Sequence, residues 1–378
     1  MKKILIVTTE YFPKITGLGV YTKQLSEALP GELKVLLVPP TKSELPQIDA
    51  SVKVEMAPLR STLFFLPRWF AAYRAMRKMI KKYGINLICI QQIEELGIPA
   101  FWIKRFFKIP YIIFSHGIDI EYASRTRRRA RKMRRIINLA EVVVANSQNL
   151  RDRIIKAVGL GIDQVVAMYP CPDISFFTAA DQNEVDNIRI QYGLEGKKTI
   201  LSVGQLVEGK GYRHLAHIMP KLLAEQPHLV WLIVGDGPQK KKIWAEIEKN
   251  NLQNIVRFVG NVPHKDLKNY YAAADLFVLL THPLIGKEEG LGLAFLESAA
   301  CGLPVVAGRS GGVDEGVIDG ATGRIVDIFK GDESVAHAIA DLLNDPEEAR
   351  RLAQNARERL FKEFNWQVQL KKIIKYLS

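Results

Sequence analysis

Short apolar runs rich in Val, Ile and Leu alternate with longer segments whose apolar residues recur at helical spacing, over the whole length of the chain. Such alternation is typical of parallel β-sheets whose strands are joined by crossover helices. The predicted strands are residues 4–8, 34–38, 87–91, 111–115 and 141–145 in the first half, and 199–203, 230–234, 256–259, 276–280, 304–307 and 323–326 in the second. The pattern therefore predicts an α/β protein with two parallel sheets.

The alternation is interrupted at the segment YPCPDISFF (169–177), where two prolines precede a polar stretch that extends to residue 198. At 378 residues the chain is also long for a single core. We therefore predict two Rossmann-like domains, residues 1–170 and residues 171–363, that face each other across a cleft.

The composition is that of a soluble globular protein, with 48% hydrophobic and 25% charged residues. No apolar run approaches the ~20 residues of a membrane-spanning helix. The apolar stretch near the N-terminus is short and lacks a cleavage site, so it predicts a buried first strand and not a signal peptide. Three widely separated cysteines (Cys89, Cys171 and Cys301) indicate a reducing compartment, without a disulfide framework or a zinc site. We therefore expect a cytoplasmic protein.

The formal net charge of +13 lies entirely in the first half of the chain. Residues 1–170 contain 28 Lys and Arg against 13 Asp and Glu, whereas residues 171–378 contain 25 against 27. Such asymmetry indicates an anionic partner for the first half: a membrane surface, an acidic substrate or a nucleic acid. A basic surface that contacts only solvent is the alternative.

Two basic segments concentrate this charge. Between Arg125 and Arg135, eight of eleven residues are Arg or Lys. Between Pro67 and Tyr83, apolar and aromatic residues recur at helical spacing and Arg and Lys cover the other faces, as in a basic amphipathic helix that lies on an anionic bilayer. The same residues fit a crossover helix whose apolar stripe faces the sheet, and both interpretations hold if the basic face points outward. Nucleic acid is not the expected partner, because we find no helix-turn-helix, RNA-recognition or zinc pattern to read bases.

The most informative stretch is EEGLGLAFLESAACGLPVV, which begins at Glu288. Its carboxylates Glu289 and Glu297 are eight positions apart, and a Gly-x-Gly turn between them opens a predicted helix over 291–300. Eight positions are just over two helical turns, so we expect carboxylates on one face that reach different parts of one ligand. The N–H groups and the positive dipole end at the helix start suit a phosphate. This arrangement predicts a nucleotide-sugar site.

Further candidates follow predicted strands, where the ligands of open α/β sheets gather. Gly17 and Gly19 lie between the first strand and a helix, and glycines there allow a phosphate to approach backbone N–H groups. His116, just after residues 111–115, can hydrogen-bond a sugar hydroxyl or stabilise developing charge. Each has a structural alternative, since turn glycines often serve packing and a lone His is often structural.

Two more segments follow strands of the second half. Lys210 lies in GQLVEGKG (204–211), where its ammonium can reach a diphosphate. Gly235 and Gly237 form either an ordinary turn or one wall of a nucleotide pocket. The segment SGG at 310–312 has the same two interpretations.

Taken in their order and spacing, these motifs resemble those of the family 4 retaining glycosyltransferases, which have the GT-B architecture. The resemblance covers nearly all of the chain, and its most specific part is the E-x7-E motif from Glu289 to Glu297. Supporting marks are YFPKITGLGVYTKQLSEAL near the N-terminus, SHG at 115–117, YPCPDISFF at 169–177, GQLVEGKG at 204–211 and FNW at 364–366. The resemblance implies a GT-B fold whose C-terminal helix, about residues 364–378, packs back on the first domain.

The resemblance also implies roles for single residues. Glu289 contacts the hydroxyls of the donor sugar, Glu297 binds the ribose, and Lys210 neutralises the leaving diphosphate. His116 contacts the sugar near the reacting centre. Backbone groups of Gly19 and of residues 290–293 hold the diphosphate, and the nucleobase lies near residues 235–237 and 262. The implied donor-binding set is Gly17, Gly19, Gln205, Gly235, Gly237, Val262, Gly290, Leu291, Gly292, Leu293 and Glu297. No metal ion or cofactor is expected, because positive side chains and a helix N-terminus replace Mg²⁺.

One position departs from the family pattern. The family usually has an Arg after the first Gly of the 204–211 segment, and Gln205 stands in its place here. Loss of a bidentate guanidinium weakens the expected diphosphate clamp. Either Arg213, Arg309 or another basic residue compensates, or the enzyme is slow, or the protein only binds sugar nucleotides.

From the sequence we therefore expect a retaining hexosyltransferase that uses a UDP- or GDP-sugar. Its acceptor would be a hydroxyl of a lipid-linked or anionic glycan at the inner face of the membrane, as in cell-envelope polysaccharide or glycolipid assembly. The alternatives are a catalytically impaired sugar-nucleotide-binding protein, a nucleotide-sugar epimerase on the same fold, and a nucleic-acid-binding protein that uses residues 125–135.

Overall fold

The computed structural model describes residues 2–12, 16–45, 47–62, 65–117, 126–285 and 288–377. The chain divides into two compact units, one made of Met1–Pro170 with Trp366–Ser378 and the other of Cys171–Asn365. Each unit is built on one parallel sheet, as the alternating pattern predicts. Within the described ranges, no helix combines the length and the apolar composition that crossing a bilayer requires.

The sheet of the first unit has seven strands: β1 (Lys3–Val7), β2 (Leu33–Val38), β3 (Val52–Met56), β4 (Leu87–Ile90), β5 (Tyr111–Ser115), β6 (Val142–Ala145) and β7 (Val165–Ala167). Their order is β3-β2-β1-β4-β5-β6-β7, and every neighbouring pair is parallel. The order reverses between β1 and β4, so the carboxyl ends of these two strands form the switch point where ligands of such sheets bind.

Helices cover both faces of this sheet. Among the described residues before the second unit, the helices are α1 (Gly17–Ala28), α2 (Phe70–Tyr83), α3 (Ile93–Phe107), α4 (Arg127–Leu139) and α5 (Gln148–Val158). Leu5 and Val7 of β1 are buried on one face in a cluster with residues of α2 to α5, whereas Ile4 and Ile6 are buried on the other face with residues of α1. Because both faces are buried, inner strands such as β4 and β6 are continuous apolar runs that do not alternate with polar residues.

The sheet of the second unit has six strands: β8 (Lys198–Val203), β9 (Leu229–Val234), β10 (Val256–Gly260), β11 (Leu276–Leu279), β12 (Val305–Gly308) and β13 (Arg324–Val326). All pairs are parallel in the order β10-β9-β8-β11-β12-β13, which reverses between β8 and β11. Its helices are α6 (Gln182–Tyr192), α7 (Tyr212–Glu225), α8 (Lys240–Lys249), α9 (Leu267–Ala273), α10 (Leu293–Ala300), α11 (Val313–Gly316), α12 (Asp332–Asn344) and α13 (Pro346–Glu363). Single 3₁₀ turns occur at Ile162–Gln164, Ile174–Phe177, His264–Asp266 and Ile328–Lys330.

The last described residues belong to the first unit. Two short helices, α14 (Trp366–Leu370) and α15 (Ile374–Leu377), place Ile373 in the apolar cluster that contains Ile4 and Ile6. The side chain of Gln369 accepts a hydrogen bond of 2.9 Å from the backbone N–H of Tyr169. This segment therefore completes one apolar face of the first sheet.

The eleven predicted strands are confirmed within one or two residues, but β3 and β7 were not predicted. Both lie at edges of the first sheet. In β3 only Val52 is fully buried, and β7 has three residues, so neither forms the continuous apolar run on which the predictions depend.

We expect Ile373→Ala to destabilise the first unit by about 2–5 kcal/mol, because Ile373 is fully buried and its loss leaves a cavity. The neighbouring Ile374 is 49% exposed, so Ile374→Ala is the matched control and should change stability by no more than about 0.5 kcal/mol. Thermal unfolding followed by circular dichroism measures both. Equal effects of the two substitutions would contradict the placement of residues 366–377.

Candidate active site

The richest set of predicted site residues lies in the second unit, at the switch point of its sheet. β8 and β11 are neighbours there, and the loops that leave their carboxyl ends are residues 204–211 and 280–285. The backbone N–H of His282 donates a 2.9 Å hydrogen bond to the carbonyl of Gly209, which ties the two loops together. This is the edge at which an open α/β sheet binds its ligand.

Gly211 fixes the end of the first loop. Its φ is +75°, and a Cβ there would lie 2.0 Å from the carbonyl oxygen of Leu280, so only glycine fits. The next residue, Tyr212, is buried and its hydroxyl donates a 3.0 Å hydrogen bond to the carbonyl of Gly204. These contacts hold Lys210 directly before α7.

Lys210 and Glu289 form an ion pair, with 2.5 Å between Nζ and Oε2. The two side chains are about one-fifth exposed, so the pair is accessible from solvent. The structure thus brings together two residues that are 79 positions apart and that were chosen from different motifs.

The prediction that Glu289 and Glu297 share one helical face is wrong. α10 begins at Leu293, so Glu289 precedes the helix and only Glu297 lies on it. Gly292 causes the late start: its φ is +86°, and a Cβ there would lie 2.3 Å from the ring of Phe295. The helix start still presents N–H groups without acceptors in the helix, together with the positive end of its dipole.

The loop after β12 fixes the backbone of Glu289. The Glu289 N–H donates to Oγ of Ser310 at 3.1 Å, and its carbonyl accepts from the N–H of Gly312 at 3.0 Å. A Cβ on Gly311 would lie 2.0 Å from the same carbonyl oxygen. The SGG segment therefore positions Glu289, a contact that the sequence left open.

Glu297 is 4% exposed, and both of its carboxylate oxygens have partners. Nε2 of His264 lies 2.7 Å from Oε1, and the hydroxyl of Tyr271 donates to Oε2 at 3.1 Å. Burial, followed by the charge of Glu297, raises the pKa of Tyr271 well above its ordinary value, so this hydroxyl stays a donor. Phe176, from the YPCPDISFF segment, packs edge-on against His264 with ring centroids 5.1 Å apart.

Sequence reasoning missed His264 and Tyr271. The signal for His264 was present, because it follows β10 by four residues, and a polar residue after a strand was the criterion that selected His116. Tyr271 lies inside α9 and pairs with a residue 26 positions away, so spacing along the chain gives no sign of it.

The glycines after β9 are explained by backbone packing. A Cβ on Gly235 would lie 2.1 Å from the carbonyl oxygen of Gly204, and a Cβ on Gly237 would lie 2.5 Å from that of Leu206. The loops after β8 and β9 therefore approach each other too closely for side chains at these positions. Val262 lies after β10 and is 9% exposed, and a nucleobase contact at these residues stays a prediction.

In the first unit, His116 lies just after β5 and is partly buried. Its Nε2 is 3.1 Å from Oε1 of the fully buried Gln91, which follows β4, and its ring packs edge-on against Tyr21. Burial lowers the pKa of His116 to about 4, so the imidazole is neutral near pH 7 and one ring nitrogen can accept a hydrogen bond.

Gly17 and Gly19 are placed differently from the prediction. α1 begins at Gly17, so both glycines lie in the helix and not before it. The N–H of Gly19 donates to Oγ1 of Thr16, which caps the helix, at 3.1 Å. The prediction placed both glycines before the helix, because the capping Thr was not recognised.

Within the part of the chain that the structure describes, no group of three or more His, Cys, Asp or Glu side chains is arranged to hold a metal ion. Independence from metal stays a prediction.

Two family profiles match the chain, one for each unit. "Glycosyltransferase Family 4" matches residues 15–176, and "Glycosyl transferases group 1" matches residues 184–359. Among characterised relatives, a GDP-mannose-dependent alpha-(1-6)-phosphatidylinositol monomannoside mannosyltransferase of Mycolicibacterium smegmatis is 28% identical over 99% of this chain and 98% of its own. The alpha-monoglucosyldiacylglycerol synthase of Streptococcus pneumoniae is 24% identical over 90% of this chain and 78% of its own.

Solved structures share the fold over the full chain. A sucrose-phosphate synthase from Thermosynechococcus elongatus has a TM-score of 0.82 at 24% identity and covers 100% of this chain and 98% of its own. The Anabaena protein HepE in complex with UDP and glucose has a TM-score of 0.79 at 20% identity, with coverage of 100% and 99%.

The lowered pKa of His116 predicts a pH effect on stability. The folded protein keeps His116 neutral down to about pH 4, whereas the unfolded chain takes up the proton below about pH 6.5, so stability falls as the pH falls through this range. We expect His116→Gln to reduce the loss of Tm between pH 7 and pH 5 by about 2–4 °C, allowing for partial exposure. His337→Gln, at a side chain that is 78% exposed, should retain the wild-type pH dependence. An unchanged pH dependence in His116→Gln would contradict the burial effect.

Proposed function

Because this chain belongs to glycosyltransferase family 4 and has the GT-B fold, we propose that it transfers a hexose from a nucleoside-diphosphate sugar to a hydroxyl of a glycolipid acceptor at a membrane surface. The main support for the proposal is the Lys210–Glu289 ion pair, which lies in the second unit beside the N-terminus of α10. A cation and a helix N-terminus suit a diphosphate, and a carboxylate beside them suits sugar hydroxyls.

The ion pair suggests how the donor enters this site. Without donor, each member of the pair neutralises the other. A bound diphosphate competes for the ammonium of Lys210, which releases the carboxylate of Glu289 to accept hydrogen bonds from the sugar. The cost of breaking one partly exposed pair is about 0–1 kcal/mol, so a diphosphate can displace it. Lys210 then stabilises the leaving group without a metal ion.

Glu297 is proposed to bind the ribose from its buried position. Its contacts with His264 and Tyr271 fix the carboxylate, so a ribose hydroxyl would meet an oriented acceptor and pay little ordering entropy. The nucleobase is proposed to lie near residues 235–237 and Val262, on the loops that follow β9 and β10.

We propose that the reaction retains the configuration of the sugar. With no carboxylate assigned as nucleophile, the acceptor hydroxyl would attack from the side of the departing phosphate, and the phosphate would accept its proton. His116, neutral near pH 7, would hydrogen-bond a sugar hydroxyl close to the reacting centre and would not transfer a proton itself.

The proposed acceptor follows from the relatives and from the charge of the first unit. Two relatives bear names that contain phosphatidylinositol or diacylglycerol. The cations of α2 lie opposite its buried residues Ala72, Ala75, Met76 and Met79, so its apolar stripe packs on the unit and its basic face points outward. Each such cation near an anionic leaflet contributes about 1 kcal/mol, which suits peripheral binding at the inner face of the membrane. Of the predicted basic run, Arg125 lies outside the described residues.

A second candidate function is sugar-nucleotide binding without turnover, and Gln205 favours it. Gln205 is exposed beside Gly204. The two arginines considered as substitutes are paired elsewhere: Arg213 with Glu246 at 3.8 Å and Arg309 with Asp314 at 2.5 Å. The diphosphate clamp would then depend on Lys210 and the helix start alone.

A donor panel tests the proposal. The purified protein is incubated with GDP-mannose, UDP-glucose and other UDP- and GDP-sugars, with and without phosphatidylinositol or diacylglycerol acceptors, and released nucleotide and glycolipid are measured. We expect acceptor-dependent release from one donor. Conversion of a donor without acceptor would indicate an epimerase, and binding of every donor without turnover would favour the second candidate.

Lys210→Ala and Glu289→Gln should each lower kcat by about 100-fold or more, the range seen when one group that stabilises transition-state charge is removed. Their stability should hardly change, because the pair is partly exposed. Lys242→Ala, at an exposed lysine of α8, is the charge-matched control for Lys210→Ala and should retain wild-type turnover. Full turnover in both site variants would refute the assignment of the pair.

Gln205→Arg tests whether the clamp is incomplete. A guanidinium that reaches the diphosphate adds charge-assisted hydrogen bonds, so we expect kcat/KM for the donor to rise about tenfold. Gln205→Met, which is similar in length and uncharged, should give no such increase. An unchanged kcat/KM in Gln205→Arg would mean that the side chain at position 205 does not reach the diphosphate.

A further inference from the structure

A groove of about 680 Å³ lies between α3 and α4 on the first unit, and none of the residues assigned to the donor lines it. One wall is aromatic, with Phe101 and Trp102 of α3. The other wall carries four cations of α4: Arg128, Arg131, Lys132 and Arg135. We call these six residues the α3–α4 groove.

Helices α3 and α4 approach each other closely at Gly97. A Cβ on Gly97 would lie 3.0 Å from Cγ2 of Ile136, so this close approach favours a residue without a side chain at position 97. All the residues that line the groove belong to these two helices. The groove is therefore built into the helix packing and does not depend on a loop.

The cations of α4 repel one another. Seven of its 13 residues are Arg or Lys, and its first turn has no acidic residue, although the helix dipole favours a carboxylate there. Partial burial, and then the charges of Arg128 and Arg129, lower the pKa of Lys132 against the opposing effect of Glu94. Among the described residues, none forms an ion pair with the four groove cations. An anion in the groove would relieve this repulsion.

Exposed aromatic rings continue the aromatic wall. Trp102 is 36% exposed and stacks on Phe106, which is 64% exposed, with centroids 5.3 Å apart. Phe107 is 43% exposed, and the guanidinium of Arg77 from α2 lies 4.9 Å from its ring centroid. Aromatic rings beside cations are typical of surfaces that enter the interfacial layer of a bilayer. Because Phe106 already covers one face of Trp102, the cluster is poorly shaped to stack successive bases of a nucleic acid.

We propose that the α3–α4 groove binds the phosphate headgroup of an anionic phospholipid in the bilayer, while Trp102, Phe106 and Phe107 enter the interfacial layer. The proposal rests on the membrane association proposed above and adds to it a defined lipid site. Diffuse attraction alone predicts that exposed cations of α2 and of the groove contribute equally to the affinity for anionic vesicles. A headgroup site predicts that the groove cations contribute more to this affinity, and that their contribution is reduced less by added salt.

The test is co-sedimentation with phosphatidylcholine vesicles that contain or lack phosphatidylglycerol, in the absence of any sugar donor. Arg131→Gln/Arg135→Gln removes two groove cations, and Arg74→Gln/Lys81→Gln removes two exposed cations of α2 as a control of equal charge. We expect the control to lose about 25-fold in affinity for the anionic vesicles, the loss that diffuse attraction of two cations gives, and the groove variant to lose about 100-fold or more. The difference should persist at about 0.3 M salt, where attraction between exposed charges is largely screened.

Trp102→Ala should weaken binding about tenfold, and Trp102→Phe, which retains a ring, should weaken it less and serves if the Ala variant fails to fold. Equal losses in the two double variants would overturn the groove site in favour of diffuse charge. Displacement of the vesicles by an RNA oligomer whose binding also depends on Trp102 would overturn it in favour of a nucleic acid. Donor turnover by the same variants is measured separately. A protein that binds vesicles but shows no turnover then counts against the proposed function and not against the groove site.

Discussion

The ion pair between Lys210 and Glu289 is the contact on which the candidate site depends. Its two members come from loops that leave different strands, and each loop is held by backbone contacts that tolerate no side chain. Gly211 lies against Leu280, and Gly311 lies against Glu289 itself. The charged groups are thus placed by packing among glycines, and their own attraction adds little to stability because both are partly exposed. A site of this kind is preorganised and can exchange one anionic partner for another.

Sequence predicted those parts of the structure in which local pattern and tertiary burial agree. β5 was predicted with correct limits because its five residues are all buried and a polar segment follows it. Lys210 and His116 could be chosen because each follows a strand of its own sheet, and the strand ends of one parallel sheet meet at one edge, whereas Glu289 was chosen from its spacing to Glu297. That reasoning places residues near a common edge, but it does not identify which of them touch.

The errors have physical causes that one sequence does not reveal. Glu289 and Glu297 were expected on one helical face because their spacing fits two turns, whereas the positive φ of Gly292 delays the helix start to Leu293. The partners of Glu297 come from two other segments, and its hydrogen bond with Tyr271 joins side chains on two different helices. The edge strand β3 has one fully buried residue, so its apolar pattern is too weak to detect. The partners of Glu297 therefore depend on distant segments of the chain, whereas the late helix start and the missed edge strand have local causes.

The assignment of residues 366–377 to the first unit has a consequence for biosynthesis. These residues cover an apolar face that includes Ile4 and Ile6, yet the ribosome makes them only after the whole of the second unit. At about 5–20 residues per second, the first 170 residues would wait roughly 10–40 s for the segment that completes them. During that interval the nascent chain presents an unfinished apolar surface, which is a substrate for chaperones and a starting point for aggregation. Slow synthesis of the second unit would therefore lower the yield of the first.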